Sequence, residues 1–216
     1  MHGLFYILIN SGKIIKIMLK VALHIFDSRK FTVSEIVDLL QLSNEEIKPF
    51  EKFTNEEVRK EKIVSYFYKK VFAPDYQINE NGKPISNNLF FNISHSKGLV
   101  VFASNNKFDI GVDVEQIRPV EENLKQYISS EKELKYMEND EKFFEIWTSK
   151  ESLVKCIGKG IKGQPRHITA LPLNGIKVVD NKTYNCKILK WKDFVISITL
   201  NNKNDYQINL SEDNFI

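Results

Sequence analysis

The 216-residue chain has only two cysteines, Cys156 and Cys186, and it contains no fixed-period repeat or low-complexity tract. Two cysteines in a chain of this length exclude a disulfide framework, and neither one stands in a CxxC or Cys/His metal spacing. The charges nearly balance, with 31 Lys and Arg against 28 Asp and Glu. A net charge of +3 is too small to indicate a nucleic-acid-binding protein, although it permits an anionic ligand or an acidic partner.

Long hydrophobic runs are also missing. The most apolar segment, residues 4–19, is interrupted by Lys13 and Lys16, and no run reaches the roughly 18 residues that a membrane-spanning helix needs. The segment has no basic leader and no small-residue cleavage site, which argues against a signal peptide. We therefore expect a cytoplasmic protein that does not act at a membrane.

What the chain does contain is enough apolar material for a core, since 42% of its residues are hydrophobic and 12% aromatic. In the first half, two helices are indicated: one opened by a capping box of Thr32 and Glu35, and one over about residues 55–72. The strands predicted there cover residues 4–9, 89–93, 99–103 and 108–115, with a hairpin turn at residues 105–106.

The second half follows the same mixture. Ser130 and Glu133 form a second capping box, and Asp140 precedes a helix over residues 141–157 that ends at Gly158. Strands are predicted over residues 176–179, 184–191 and 194–200. Helices mixed with antiparallel strands in both halves indicate an α+β fold.

Two carboxylates lie on one side of the strand predicted over residues 108–115. Asp113 and Glu115 are two residues apart, and Gly111 shares their face because side chains alternate along a strand. Taken alone, the pair is more typical of a solvated edge strand. The glycine argues against that interpretation, because it leaves room for a ligand or another backbone to approach the strand closely.

The helix around residues 147–155 (WTSKESLVK) adds another carboxylate. Glu151 and Lys155 stand one turn apart, which by itself is typical of an exposed ion pair. Lys150 falls inside the apolar stripe between Trp147 and Ile157. A lysine there must extend to the surface or meet an anion.

The three acids suggest a metal-bound phosphate. Mg²⁺ prefers a few carboxylates together with phosphate oxygens and water, which Asp113, Glu115 and Glu151 would suit. Ser94 and His95 lie between two strands where a phosphate would fit, although a lone histidine is more often structural. Lys83, in a Gly-Lys-Pro turn, is by itself an ordinary turn lysine.

Together these segments resemble a known family. Residues 91–96 (FNISHS), 110–115 (IGVDVE) and 147–155 resemble, in that order, the three signature blocks of the 4'-phosphopantetheinyl transferases, and residues 82–84 (GKP) and 158–160 (GKG) also fit. The length resembles the surfactin-synthetase-activating (Sfp-type) branch. The N-terminal region departs most, because the basic residues expected there for the 3'-phosphate of the nucleotide are not securely identified; Arg59, Lys60 and Lys62 are candidates.

The resemblance implies two pseudo-symmetric halves, residues 1–106 and 107–216, each an antiparallel sheet packed with helices, with the active site in the cleft between them. It implies transfer of the 4'-phosphopantetheine moiety of coenzyme A to a serine of an acyl or peptidyl carrier protein by a monomer. The roles it implies are these: Asp113, Glu115 and Glu151 as Mg²⁺ ligands, Glu151 and Lys155 as catalytic residues, and Lys83, Ser94, His95, Lys150 and Lys155 as coenzyme A ligands.

Two other functions fit the same residues. One is another Mg²⁺-dependent phosphoryl enzyme that acts on a coenzyme A-like pyrophosphate without a carrier protein. The other is a non-catalytic module that binds carrier proteins and would tolerate loss of Asp113 and Glu151.

Overall fold

A computed structural model describes residues 6–8, 14–16, 18–158 and 165–213 of the chain. The α-helices of this part are α1 (Val33–Leu39), α2 (Asn44–Ile47), α3 (Glu56–Phe72), α4 (Glu122–Ile128), α5 (Glu131–Tyr136) and α6 (Asp140–Ile157). The strands are β1 (Tyr6–Leu8), β2 (Ile14–Lys16), β3 (Leu19–Asp27), β4 (Gln77–Ile78), β5 (Pro84–Ile85), β6 (Phe90–Ser96), β7 (Leu99–Asn105), β8 (Ile110–Gln116), β9 (Gly175–Val179), β10 (Lys182–Trp191), β11 (Phe194–Leu200) and β12 (Tyr206–Glu212).

Two four-stranded sheets dominate the fold, one ordered β12-β3-β7-β6 and the other β8-β11-β10-β9. Neighbouring strands are antiparallel except for β12, which runs parallel to β3. Strand pairs β1–β2 and β4–β5 form two further small sheets. Mixed helices and antiparallel sheets confirm the predicted α+β class.

One apolar core fills the space between the two large sheets. It is built from alternate residues of their central strands, including Leu23 and Ile25 of β3, Val112 of β8 and Ile196 and Ile198 of β11. Because side chains alternate along a strand, the opposite faces of both sheets remain to be covered by helices. Helix α3 packs against the first sheet, and α6 packs against β8 and β11 of the second.

Local signals in the sequence account for the helix starts. Thr32, Ser43 and Ser130 each accept from the backbone N–H three residues on, and Glu35, Glu46 and Glu133 reach back in complete capping boxes. The boxes at Thr32 and Ser130 were predicted. Helix α6 begins one residue earlier than predicted because Asn139, not Asp140, caps it, and Gly158 ends it with φ 79°.

The predicted hairpin turn at residues 105–106 is wrong. Strand β7 ends at Asn105 in the first sheet, whereas β8 starts at Ile110 in the second, so the turn carries the chain from one sheet to the other. The boundary between residues 106 and 107 stays a prediction. Strand β12 does not follow this boundary, because it comes from the second half of the sequence but pairs with β3 in the first sheet.

Two strands of the first sheet, β3 and β12, were not predicted. In β3, Val21, Leu23 and Ile25 are fully buried and alternate with less buried residues, which is the pattern of a strand with one covered face. Of the strand predicted over residues 4–9, the structure describes residues 6–8 as β1, and the remainder lies outside the described residues. No helix in the described ranges is both long and apolar enough to cross a membrane.

Candidate active site

The site lies where edge strands β6 and β8 of the two sheets run beside each other. These strands are not joined by a backbone ladder, and side chains bridge them instead. The amide oxygen of Asn92 accepts a hydrogen bond from the backbone N–H of Val112 at 3.0 Å, in a buried position. Asn92 therefore satisfies a backbone group of β8 that would otherwise lack a partner at the sheet edge.

One cluster joins the three sequence blocks. Lys155 Nζ of α6 donates to Asp113 Oδ1 of β8 at 2.6 Å and to Ser94 Oγ of β6 at 2.9 Å. Ser94 Oγ in turn donates to the same carboxylate oxygen at 2.9 Å. Residues that are 61 positions apart in the chain therefore meet in one hydrogen-bonded group.

Helix α6 reaches this position because Gly111 has no side chain. A Cβ at residue 111 would lie 2.0 Å from the carbonyl oxygen of Ser152 and 2.4 Å from the backbone nitrogen of Cys156. The glycine thus makes room for another backbone, one of the two alternatives that the sequence left open. Ser152 Oγ also bonds the buried hydroxyls of Ser197 and Thr199 on β11, at 3.0 and 2.8 Å, which fixes the helix from beneath.

Burial in this part of the site raises the pKa of two carboxyl groups. Burial raises the pKa of Asp113 above its ordinary value, although the Lys155 ammonium acts in the opposite direction. Burial, together with the negative charge of Asp113, raises the pKa of Glu151 to about 7. Asp113 Oδ2 is buried and has no hydrogen-bond partner within the described part of the chain. A buried carboxylate oxygen without a partner is costly, so the site is suited to a cation.

Glu115 lies two residues after Asp113 on the same face of β8, and two side chains donate hydrogen bonds to it. Ser96 Oγ donates to its Oε2 at 2.8 Å, and Arg118 donates to the same oxygen at 3.1 Å. In the described ranges, no group of three or more His, Cys, Asp or Glu side chains is arranged to hold a metal ion as it stands. The three predicted ligands still share one electrostatic environment, because the charges of Asp113 and Glu115 both act on Glu151.

A cavity of about 230 Å³ opens beside the cluster, and Lys83, Glu151, Lys155 and Gly158 contribute to its lining. Lys83 Nζ donates to the carbonyl oxygen of Cys156 at 3.2 Å, close to the end of α6. The structure therefore brings Lys83 together with two of the predicted catalytic residues. In the predicted Gly-Lys-Gly loop, Lys159 and Gly160 lie outside the described residues.

Lys150 is not brought to the cleft. Its side chain is fully buried, and its ammonium donates to Glu133 Oε2 at 2.7 Å and to the carbonyl oxygens of Ile128 and Pro165. The expectation that Lys150 binds a coenzyme A phosphate is corrected by this geometry, because all three donors of the ammonium are used inside the protein. Of the two alternatives that the sequence left for a lysine in the apolar stripe, the structure shows the second, contact with an anion.

His95 lies on the other side of β6 from Ser94 and Ser96, as alternation along a strand requires. Its Nδ1 is 2.9 Å from Glu61 Oε2 of α3, and its Nε2 is 3.2 Å from Lys62 Nζ. His95 is therefore next to α3 rather than in the carboxylate cluster.

The three basic candidates of α3 have different surroundings. Arg59 donates to the carbonyl oxygen of Phe53, and Lys60 donates to that of Phe31. Lys62, which contacts His95, is the one that the structure places beside a predicted phosphate ligand. The sequence interpretation missed Glu61, Asn92 and Arg118 as parts of the site; only Asn92 carried a signal, as a member of the 91–96 block.

Comparison with known proteins adds a family to this geometry. Residues 109–213 match the model of the 4'-phosphopantetheinyl transferase superfamily. The chain is 33% identical over 115 residues to the 4'-phosphopantetheinyl transferase gsp of Aneurinibacillus migulanus, covering 50% of this chain and 45% of the relative. It is 38% identical over 101 residues to HetI, a 4'-phosphopantetheinyl transferase of Nostoc sp., covering 40% of this chain and 42% of the relative.

A longer alignment relates the chain to the 4'-phosphopantetheinyl transferase Sfp of Bacillus subtilis strain 168. The identity is 30% over 169 residues, which cover 63% of this chain and 71% of Sfp. The chain spans less than half of the length of the Aneurinibacillus and Nostoc relatives.

Proposed function

Because the chain belongs to the 4'-phosphopantetheinyl transferase superfamily, we propose that it moves the 4'-phosphopantetheine moiety of coenzyme A to a serine of an acyl or peptidyl carrier protein. The products are the holo carrier protein and 3',5'-ADP. The observation that carries the proposal is the contact of Lys155 with both Asp113 and Ser94, which joins one residue from each of the three blocks. We place the reaction in the cytoplasm, with Mg²⁺ as the cofactor.

The proposed metal ligands are Asp113, Glu115 and Glu151. The support is the buried Asp113 Oδ2, which lacks a partner among the described residues and is an oxygen ligand of the kind that Mg²⁺ prefers. When bound, Mg²⁺ supplies a Lewis acid that neutralises the charge of the pyrophosphate. Binding one ion through all three acids requires their carboxylates to move closer together, because no such group is arranged for a metal among the described residues.

The remaining residues are assigned by what the reaction needs. The serine oxygen forms a bond to the β-phosphorus of coenzyme A, and the bond from that phosphorus to the 3',5'-ADP leaving group breaks. Glu151, which lines the cavity, accepts the serine proton. Lys155, in the same cavity, stabilises the negative charge that develops on the leaving phosphate. Lys83, Ser94 and His95 bind the phosphates of coenzyme A before transfer.

A monomer is sufficient for this arrangement. One chain supplies both edge strands of the site and helix α6, which carries Glu151 and Lys155. We therefore propose that the protein acts as a monomer. Sedimentation at assay concentration checks this, and activity that disappears when an oligomer dissociates would contradict it.

Mass spectrometry of an apo carrier protein incubated with the protein, coenzyme A and Mg²⁺ tests the function directly. We expect the carrier protein to gain one phosphopantetheine, and we expect Asp113→Ala to abolish most of that gain because the metal loses a ligand. The matched control is Asp38→Ala, at an exposed position of α1. Consumption of coenzyme A without any modified carrier protein would favour the phosphoryl-enzyme alternative. Carrier-protein binding without turnover would favour the non-catalytic one.

A further inference from the structure

Glu61 is a buried acid that the proposed reaction does not use. Glu61 is only 4% exposed, and it lies on the face of α3 that covers the first sheet. A carboxylate is costly to bury unless hydrogen bonds compensate for lost water. An apolar residue of similar volume would fill the position without that cost, so packing does not explain the acid.

The two oxygens of Glu61 have separate partners. Oε1 accepts the backbone N–H of Gly98 at 2.8 Å, in the turn between β6 and β7. Oε2 lies 2.9 Å from His95 Nδ1. Although burial acts to raise the pKa of Glu61, these two hydrogen bonds hold it below its ordinary value, so the group is a carboxylate at neutral pH.

A carboxylate at Nδ1 determines how the ring of His95 is used. Because the acid accepts a hydrogen bond, Nδ1 carries the proton of the neutral ring, and Nε2 is held 3.2 Å from Lys62 Nζ. The ring is about one-third exposed, so its outer edge is accessible to a ligand. When the ring takes up a second proton, Nε2 also becomes a donor, and an anion beside Nε2 and the Lys62 ammonium would then receive hydrogen bonds from both.

We propose that Glu61 is a positioning residue for phosphate binding: it fixes His95 so that Nε2 and Lys62 together bind a phosphate of coenzyme A. The inference rests on the proposed function for the identity of the phosphate. Glu61 itself does not touch the ligand. It acts through the orientation of His95 and through its negative charge, which stabilises the imidazolium whose Nε2–H donates to the phosphate beside Lys62.

The substitution Glu61→Gln separates this role from a structural one. The glutamine oxygen keeps the bond from the Gly98 N–H, so the turn between β6 and β7 retains its support. The amide nitrogen faces His95 Nδ1 as a donor, which reverses the hydrogen bond and moves the proton of the neutral ring to Nε2. A donor facing Nδ1 also opposes the imidazolium, so the phosphate is left with an uncharged donor in place of a charged one. The control is Glu56→Gln on the same helix, because Glu56 is exposed and forms an ion pair with Lys60 at 4.0 Å.

Two measurements on the intact protein complete the test. The ¹⁵N NMR shifts of His95, recorded at a pH that keeps the ring neutral, report the tautomer without any ligand, and we expect a change from Nδ1–H to Nε2–H in Glu61→Gln only. In carrier-protein modification we expect KM for coenzyme A to rise about tenfold, as loss of one charge-assisted interaction predicts, with kcat within about twofold of the parent.

The outcomes are distinct. A variant that keeps the parental tautomer, or that changes tautomer but keeps the parental KM, overturns the inference while the proposed function stands. A fall in kcat without a rise in KM also overturns it, because phosphate binding is then not the affected step. A parental protein that neither binds coenzyme A nor modifies a carrier protein overturns both.

Discussion

Helices α3 and α6 each cover the outer face of one sheet, but they meet those sheets in different ways. Helix α6 touches β8 at the level of the backbone, because only a glycine fits at residue 111. Helix α3 is separated from its sheet by large rings, and Phe102 of β7 lies 5.6 Å from Tyr68 and 5.2 Å from Phe72, measured between ring centroids. A direct backbone contact allows only one position of the helix, whereas a layer of side chains between helix and sheet can repack.

This difference matches the tasks that we propose for the two helices. The backbone contact holds Glu151 and Lys155 at a set distance from Asp113, which suits groups that act on reacting atoms. In the proposed site, Lys62 of α3 binds an anion and Glu61 orients His95, and small shifts matter less for such binding. The family match over residues 109–213 includes the half with the close contact.

The largest effect is expected from Glu151→Gln, which removes the proposed base from α6. We expect kcat to fall by about 10²–10⁴-fold, as for removal of a positioned base, with the melting temperature nearly unchanged. The comparison variant is Lys62→Met on α3, for which we expect a higher KM for coenzyme A and a kcat close to the parent. Steady-state kinetics distinguish them. Equal losses of kcat in both variants would contradict the proposal that α6 serves the reaction and α3 serves binding.

The next effect concerns stability, at the ion pair beneath α6. Lys150→Met leaves the Glu133 carboxylate, whose side chain is only 2% exposed, without its cation. Breaking a buried pair from one side costs about 3–5 kcal/mol. The double variant Lys150→Met with Glu133→Gln recovers part of this loss in denaturant unfolding, because no unpaired charge remains. A single variant as stable as the parent would show that the pair is not what holds α6.

The substitution Gly111→Ala tests the backbone contact between β8 and α6. The added methyl meets backbone atoms of α6, so the helix must move, and we expect a loss of about 3 kcal/mol. In the first half, Phe102→Leu should cost only about 1 kcal/mol, because the surrounding rings can relax into the vacated space. Calorimetry of both variants checks the ratio. Equal losses would mean that the two halves tolerate change alike.

The smallest effect is expected at Asp213, which joins β12 to the first half. Its carboxylate lies 3.0 Å from His24 Nδ1 and accepts from Tyr68 Oη at 3.0 Å. Burial acts to raise the pKa of Asp213, but these bonds and that of Ser211 leave it below the ordinary 3.8.

A lowered pKa in the folded state means that the carboxylate stabilises the protein above pH 3.8, and that this contribution is lost as the pH falls through the folded-state value. Asp213→Asn should therefore destabilise by about 1–2 kcal/mol at neutral pH, with a difference that shrinks in acid. Melting temperatures of parent and variant across this range measure the difference. A constant difference would show that the carboxylate charge is not involved.

Local chemistry made parts of this structure predictable. The capping boxes at Thr32 and Ser130 depend on residues three apart, and the helix stop at Gly158 depends on one residue with positive φ. The alternation of apolar residues in β8 placed Asp113 and Glu115 on one face, away from the core. Each signal lies within a few residues, so the sequence carries it directly.

The remainder depends on contacts between distant segments. Nothing near Glu61 indicates that residue 95 will lie against it, and nothing near Lys150 identifies Glu133 as its anion rather than a phosphate. The Gly111 position permitted two readings, a ligand or a backbone, and only the packing of α6 decides between them. The pairing of β12 with β3 joins residues more than 180 positions apart, which no local pattern indicates.

Strand β12 also sets the order in which the chain can fold during translation. The strands β3, β6 and β7 are synthesised early, but β12, which pairs with β3, follows β7 by about 100 residues. At the usual rate of roughly 5–20 residues per second, the ribosome needs about 5–20 s to supply it. During that interval the backbone of β3 is an open edge, available to other nascent chains and to chaperones. Vectorial synthesis thus leaves the first sheet incomplete until β12 has emerged.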